Sequence, residues 1–301
     1  MRRLTLGLLM LAACSGSGPS TGATGKRIGV TLLTTEHEFY RQLEAGLRDA
    51  AQKHGYTLLI TSGDFDLAKQ QAEIDNFIVQ RVDAIIACPV DSRGIGPAIA
   101  RAQAAGIPVF TSDIRALGAH VVSHVASNSY EGGRLAAEFM AKTLHDTGTV
   151  AVIGQPEVQS GADRAQGFSE TLTKSHPHVQ LVSVLNGGGV RDRALKAADD
   201  LLQAHPALDG IFAINDESAL GALSSATSHG KTGANFTIVG YDATSEAVRA
   251  IKGHTPLKAD VAQQPKLIGS ETIDAIAAYF AKQPYDSVIA VPMTVVDSTT
   301  P

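Results

Sequence analysis

Four polar side chains stand directly after short apolar runs, where they could bind a ligand. Asn215 follows the run from Ile211 to Ile214, and Asp113, Asp242 and Gln263 end the stretches "IPVFTSD", "FTIVGYD" and "ADVAQ" in the same way. A continuous apolar run is typical of a strand buried on both faces of a parallel sheet. Ligands bind such sheets at the carboxyl ends of the strands, so we expect these side chains to meet in one crevice.

The residue types suit a polyhydroxylated ligand. Asp113 and Asp242 can each accept hydrogen bonds from neighbouring hydroxyl groups, and Arg164 in "SGADRAQGF" adds a fork of donors. Phe39 and Tyr40, after "TTEHE", can cover the C–H face of a sugar ring. Taken singly, each polar residue could serve only a local turn or helix cap. Their recurrence at strand ends favours a binding site, although two carboxylates also leave a glycosidase open.

Alternating strand-like and helix-like segments must position these residues. Helical patterns such as Phe39 to His54 and Ser129 to Leu144 separate the strands, which implies parallel sheets with helices on both faces. The alternation of strands and helices starts again after about residue 128, and residues 121–133 are expected to be a strand followed by a polar crossover. We therefore predict an α/β fold of two lobes with a cleft between them. The predicted strands are 27–34, 57–61, 83–87, 108–111, 149–153, 180–185, 210–214, 236–240 and 257–262.

The first 25 residues are expected to form a signal peptide and a tether rather than part of the two lobes. Met1 to Arg3 are basic and Leu4 to Ala13 are apolar, which is too short to span a bilayer and typical of a signal peptide over 1–13. The run ends in "LAAC", which looks like a bacterial lipoprotein signal, so Cys14 is the predicted lipidation site and 14–25 a flexible tether. An ordinary secretory signal with an incidental cysteine is the alternative. We expect a periplasmic or extracytoplasmic lipoprotein held at the membrane only by its lipid.

Composition and missing motifs exclude several classes of function. The formal charge of −5 and the lack of a basic run argue against nucleic acid as a partner. The dinucleotide, P-loop and G-x-S-x-G patterns are absent, and "NGGGVRDR" is better explained as a strand–helix loop than as a phosphate site. The histidines are scattered, and Cys88 lies in an apolar strand. We expect no cofactor, no metal site, no catalytic residue, no disulfide and a monomer.

Four longer segments resemble a known family: "AAGIPVFTSD", "VVSHVASNSYEGGRLAAEFM", "LLQAHPALDGIFAINDESALGAL" and "IVGYDATSEA". They are similar to the periplasmic sugar-binding proteins of ABC importers, in the ribose-binding branch, from about Arg27 to Val295. The resemblance implies two Rossmann-like lobes joined by three crossovers near residues 127, 264 and 292. The first lobe would comprise 26–127 plus 264–292, and the second 128–263 plus 293–301.

The resemblance also implies roles for particular residues. Those that match the family's sugar contacts are Phe39, Tyr40, Asp113, Arg164, Asn215, Asp242 and Gln263, with His37 where the family has asparagine. Asp216 would then be the helix N-cap, or a first-turn acid, behind Asn215.

The departures from the family concern specificity. Leu33 replaces a small polar residue, Ile114 an arginine, and Gly189 or Val190 an aromatic residue. These changes predict a cleft that is less polar on its first-lobe side and roomier on its second. The implied ligand is another pentose than ribose, a hexose or a polyol.

The resemblance implies delivery of the sugar to an ABC permease. A receptor that reports a sugar signal to a sensor kinase or chemoreceptor is the alternative, since its binding chemistry would be the same. LacI-type repressors share the fold but need a helix-turn-helix of about 50–60 residues, where this chain has a signal peptide and tether. The surrounding Arg, Asn and Gln residues favour ionised carboxylates over the proton donor that a glycosidase needs. We therefore expect no enzyme.

Overall fold

The computed structural model describes residues 25–301, which form two six-stranded sheets flanked by helices. The predicted signal peptide, Cys14 and all of the tether except its last residue lie outside the described residues. No helix among residues 25–301 is long and apolar enough to cross a membrane. The elements are, in chain order, β1 (Arg27–Leu32), α1 (Glu38–His54), β2 (Thr57–Ser62), α2 (Leu67–Val79), β3 (Ala84–Ala87), α3 (Gly96–Ala104), β4 (Val109–Ser112), β5 (His124–Ser127), α4 (Ser129–Thr143), β6 (Gly148–Gly154), α5 (Gln159–Ser175), β7 (Val179–Asn186), α6 (Arg191–Ala204), β8 (Gly210–Ala213), α7 (Asp216–Ser228), β9 (Thr237–Asp242), α8 (Ser245–Lys252), β10 (Leu257–Ala262), α9 (Pro265–Phe280), β11 (Val288–Val291) and β12 (Thr294–Asp297).

The strand order confirms the predicted α/β fold of two lobes. The first sheet runs β11-β5-β4-β3-β1-β2 and is parallel throughout, while the second runs β12-β10-β9-β8-β6-β7. One edge differs from the prediction, because β12 pairs antiparallel to β10. The hydrophobic pattern did not reveal β11 and β12, since each is only four residues long and mostly half-exposed or exposed.

The chain passes between the two sheets three times. It leaves the first sheet after β5, returns from β10 to α9, and crosses again between β11 and β12. The predicted polar crossover within 121–133 is wrong for its second half, because residues 129–133 already form the first turns of α4. Asn128 caps this helix by accepting a hydrogen bond from the Glu131 backbone N–H, so the chain needs no loop there.

The helix α9 returns to the first lobe and packs against α1. A side chain at Gly46 would collide with the Lys266 carbonyl, and one at Gly269 would collide with the Leu43 carbonyl. The two helices therefore approach closely at a pair of glycines. This contact joins a segment from the end of the chain to the first lobe's core, where Ile273 and Leu47 are both buried.

Candidate functional site

All eight residues predicted to contact a ligand line one cavity between the two lobes. The space between the lining atoms is about 400 Å³, including the part open to solvent. Only about 30 Å³ of it is wide enough for the centre of a water molecule, so the side chains lie close together in this conformation. The eight are His37, Phe39, Tyr40, Asp113, Arg164, Asn215, Asp242 and Gln263.

On the first-lobe side, Tyr40 and Asp113 form a buried pair. Tyr40 Oη donates a hydrogen bond to Asp113 Oδ2 at 2.6 Å. The ring of Phe39 meets the Tyr40 ring edge-on, with 5.1 Å between centroids. Asp113 follows β4 in the left-handed region, with φ 64°, so its carboxyl group turns away from the strand direction into the cleft. Burial raises the pKa of both Asp113 and Tyr40.

His37 lies at the N-cap position of α1, without making a side-chain cap hydrogen bond. Its ring centroid is 5.6 Å from the Phe65 ring and 6.4 Å from the Tyr40 ring. Burial lowers the pKa of His37 from its ordinary value, which favours a neutral ring that can donate through one nitrogen and accept through the other.

On the second-lobe side, Arg164 is held almost fully buried by three contacts. Its Nη1 donates to the Ile214 carbonyl at 2.7 Å and lies 4.0 Å from Asp242 Oδ1. Its guanidinium stacks over the Tyr241 ring at 3.7 Å from the centroid. Nε has no partner among the described residues, and it is therefore a donor available to a bound molecule.

Asp242 also accepts a hydrogen bond from Gln263 Nε2 at 2.8 Å. Burial raises the pKa of Asp242 to about 8, against the lowering effect of Arg164. For Asp242, the ionised carboxylate predicted from its polar neighbours is therefore not favoured in this conformation, because burial outweighs them. A protonated Asp242 can donate as well as accept hydrogen bonds.

Asn215, rather than Asp216, is the N-cap of α7. Its backbone is extended and its Oδ1 accepts from the Ser218 backbone N–H at 2.9 Å, while its Nδ2 donates to the Gly189 carbonyl at 3.0 Å. The prediction of Asp216 as the cap is wrong, although Asp216 does stand in the first turn of the helix. Because the Asn215 side chain makes both of these hydrogen bonds, its orientation is fixed where it borders the cleft.

Asp216 instead supports the turn that carries Asp242. Its Oδ2 accepts from the Thr244 backbone N–H at 2.6 Å, and Asp242 and Ala243 both have positive φ, at 110° and 56°. Such residues persist where neighbouring contacts hold them. The hydrogen bond to Thr244 is one of these contacts, so Asp216 positions Asp242.

Behind Asp216 lies a second buried carboxyl group, that of Asp260. Within residues 25–301, Asp216 Oδ1 and both Asp260 oxygens lack a conventional donor. A Cβ at Gly240 would lie 2.9 Å from Asp216 Oδ1 and 2.7 Å from Asp260 Oδ1, which places the two groups side by side. Burial raises the pKa of Asp216 to about 6 and that of Asp260 well above its ordinary value. A proton shared between Asp216 Oδ1 and Asp260 Oδ1 would satisfy these two oxygens.

Five further residues of the cavity wall were not predicted from the sequence as ligand contacts: Gln155, Val158, Ser160, Gly161 and Ile214. Gln155 follows β6 directly and therefore carries the same strand-end signal as Asn215. A side chain at Gly189 would collide with the Gln155 amide, so Gln155 occupies the room expected where the family has an aromatic residue. Leu33 and Ile114 line the opposite side as apolar residues.

The lobes touch each other around this cavity. The Ser92 backbone N–H donates to the Glu157 carbonyl at 3.0 Å, and the Gln159 backbone N–H donates to Ser92 Oγ at 2.8 Å. Between them, Val158 is only 2% exposed and packs with the apolar cluster of the first lobe. At the other end of the cleft, Glu38 accepts from the Ser245 hydroxyl at 2.8 Å. The structure is thus that of closed lobes.

Residues 28–284 match the family model for the periplasmic binding protein domain. A ribose import binding protein of Bacillus subtilis (strain 168) is 35% identical over 280 residues, which cover 90% of each chain. A xylitol-binding protein of Mycolicibacterium smegmatis is 28% identical over 246 residues, or 81% of this chain and 69% of that one. The fructose-binding periplasmic domain of a hybrid two-component system superposes with a TM-score of 0.85 at 25% identity, covering 91% of each chain. This chain therefore belongs to the periplasmic binding protein family and has the type I fold of its ribose-binding branch.

Proposed function

We propose that the protein is an extracytoplasmic solute-binding lipoprotein that captures a monosaccharide or polyol between its lobes and delivers it to an ABC permease. The lobes would be 26–127 plus 264–292 and 128–263 plus 293–301. The observation that carries the proposal is the convergence of the eight predicted residues on one interlobe cavity. No chemical step is needed, since a ligand that binds the closed form better than the open form shifts the population toward it.

The internal hydrogen bonds of the cleft indicate how a sugar would bind. The bonds from Tyr40 to Asp113 and from Gln263 to Asp242 join groups that a sugar hydroxyl could bridge instead. A hydroxyl group donates and accepts at once, so it can replace either partner without leaving the other unsatisfied. Arg164 Nε supplies a further donor. The lobes would have to part slightly for the ring to enter, given the small free space.

The proposed ligand is a pentose other than ribose, a hexose or a polyol. Relatives of similar sequence are named for ribose and for xylitol, so membership of the family does not by itself identify the ligand. Ile114 and Leu33 make the first-lobe wall apolar, and Gln155 adds an amide to the second-lobe wall. A ligand with fewer hydroxyls toward the first lobe fits this arrangement best.

Attachment to the membrane through Cys14 is part of the same proposal. It is supported by the "LAAC" sequence and the apolar run before it. Labelling of the protein with a radioactive fatty acid in a bacterial host, and loss of the label in Cys14→Ala, would test it. If the wild-type protein, like Cys14→Ala, stays unlabelled and is recovered in the soluble fraction, the proposal is refuted.

A receptor role is the second candidate. The likeness to the periplasmic domain of a hybrid two-component system favours it, since that domain binds fructose in a signalling protein. Cross-linking in intact cells distinguishes the two roles: a permease partner supports transport, and a sensor kinase or chemoreceptor supports signalling.

Thermal unfolding with pentoses, hexoses and polyols tests the binding function. Ligand at 1,000 times Kd adds about 4 kcal/mol to the free energy of unfolding, and each kcal/mol raises Tm by roughly 2–4 °C in a domain of this size. We expect a large shift with at least one compound and loss of that shift in Asp242→Ala. Micromolar binding of ribose would overturn the ligand class, and no shift with any compound would overturn the function. Release of reducing sugar from glycosides with turnover would instead revive the glycosidase.

A further inference from the structure

A second cavity, here called the hinge chamber, lies beside the ligand cleft and against the segments through which the chain crosses between lobes. The space between its lining atoms is about 630 Å³, including the part open to solvent. About 220 Å³ of this space is wide enough for the centre of a water molecule. The cleft has only about 30 Å³ of such space. Asp113 and Ser160 line both cavities, so the two adjoin at these residues.

The wall of the hinge chamber contains one buried polar group that has no hydrogen-bond partner among the described residues. Ser127 is only 7% exposed, and its hydroxyl has no hydrogen-bond partner among residues 25–301. A buried hydroxyl without a partner is costly, so this one favours a bound molecule with a complementary group. Arg115 also lines the chamber and is exposed to solvent, and one oxygen of Asp163 accepts a hydrogen bond from Gln159 Nε2 at 2.6 Å.

The charges of the chamber favour a neutral ligand. Arg115 shares the wall with the acidic residues Asp163 and Asp113, and among the described residues no second Lys or Arg lines it. Burial lowers the pKa of His124 to about 3, so its ring is neutral at physiological pH. Phosphate or carboxylate groups would therefore meet no positive excess. Ala126 and Ala290 add apolar surface against which the C–H face of a sugar can pack.

We propose that the hinge chamber holds a second glycosyl unit of a ligand whose first unit occupies the cleft. The glycosidic link would pass between Asp113 and Ser160, and a hydroxyl of the second unit would bond Ser127 Oγ. This inference rests on the proposed function and extends its substrate class from monosaccharides to disaccharides and glycosides.

Titration calorimetry on the purified protein tests the proposal. The probes are D-xylose, D-glucose and D-galactose, with xylobiose, maltose, cellobiose and lactose as the disaccharides that contain them. We expect at least one disaccharide to bind within tenfold of its monosaccharide, or more tightly. Ser127→Leu fills the chamber and should weaken disaccharide binding at least tenfold, with monosaccharide binding unchanged within twofold.

A second variant guards against misfolding of Ser127→Leu. Asp163→Phe also blocks the chamber and should have the same selective effect, while Asp192→Phe, at an exposed acid of α6, should change neither affinity. Monosaccharide binding with every disaccharide more than tenfold weaker would overturn the chamber and leave the cleft function intact. Equal loss of both ligand types in the blocked variants would also overturn it. Binding of none of these probes, together with no thermal shift from any pentose, hexose or polyol, would overturn both proposals.

Discussion

Val158 offers the sharpest test of lobe closure, because it belongs to the second lobe's α5 entry yet packs into the first lobe's apolar cluster. It is 2% exposed, and the hydrogen bonds between Ser92 and its neighbours Glu157 and Gln159 flank it. Opening the lobes would expose this side chain to water. Its burial therefore stabilises the closed form specifically.

The size of the effect follows from the groups removed. Val158→Ala deletes the equivalent of two methylene groups, or about 1.6 kcal/mol at roughly 0.8 kcal/mol each. If the open form prevails without ligand, this loss falls on the closed form and weakens apparent affinity by roughly 15-fold. The Tm of the ligand-free protein should change little, since the side chain is already exposed in the open form.

Val150→Ala is the matched control. This substitution removes the same groups as Val158→Ala, but from the interior of the second lobe. Val150 is fully buried there whether the lobes are open or closed. It should lower Tm and leave Kd within twofold. Calorimetry with the ligand found by thermal screening gives Kd, and small-angle X-ray scattering gives the open and closed populations. An unchanged Kd in Val158→Ala, or an equal loss of affinity in Val150→Ala, would refute the reasoning.

Three further predictions concern buried titratable groups. Burial raises the pKa of Asp260, so the free energy of unfolding should fall as pH rises above the ordinary carboxyl pKa of about 4, and Asp260→Asn should make that fall shallower. If urea unfolding shows the same pH dependence of the unfolding free energy in the wild type and in Asp260→Asn, a proton shared between Asp216 and Asp260 is contradicted. The pKa of His124 is lowered to about 3 by burial, so its contribution is present above pH 6.5 and lost as pH falls; His124→Gln should flatten the drop in Tm between pH 6.5 and 4. An equally steep drop in Tm would count against this. Asp113→Ala should weaken sugar binding about 10–100-fold, whereas Asp113→Asn should retain most of it, because asparagine tolerates the left-handed backbone and still accepts from Tyr40. Calorimetry that finds equal losses would show that the charge alone matters.

Much of the fold was predictable because strands and helices leave strong local patterns. The run from Ile211 to Ile214 is apolar at every position, and β8 lies there at the centre of its sheet. Edge strands such as β12 were missed, because a strand with one exposed face and one neighbour needs little hydrophobic sequence. The antiparallel pairing of β12 with β10 depends on where the third passage between sheets ends, which no local pattern encodes.

The polar residues at the carboxyl ends of the parallel strands could be predicted from the apolar runs before them, and the family resemblance identified them as candidate contacts. Their hydrogen bonds, burial and protonation depend on the folded chain. The tertiary structure made Asn215 the helix cap and Asp216 a buried support for the Asp242 turn, because backbone conformation decides which neighbour can cap. It also placed Gln155 beside Gly189 and buried Asp242 deeply enough to raise its pKa, since burial and contacts between distant segments arise only when the two lobes meet.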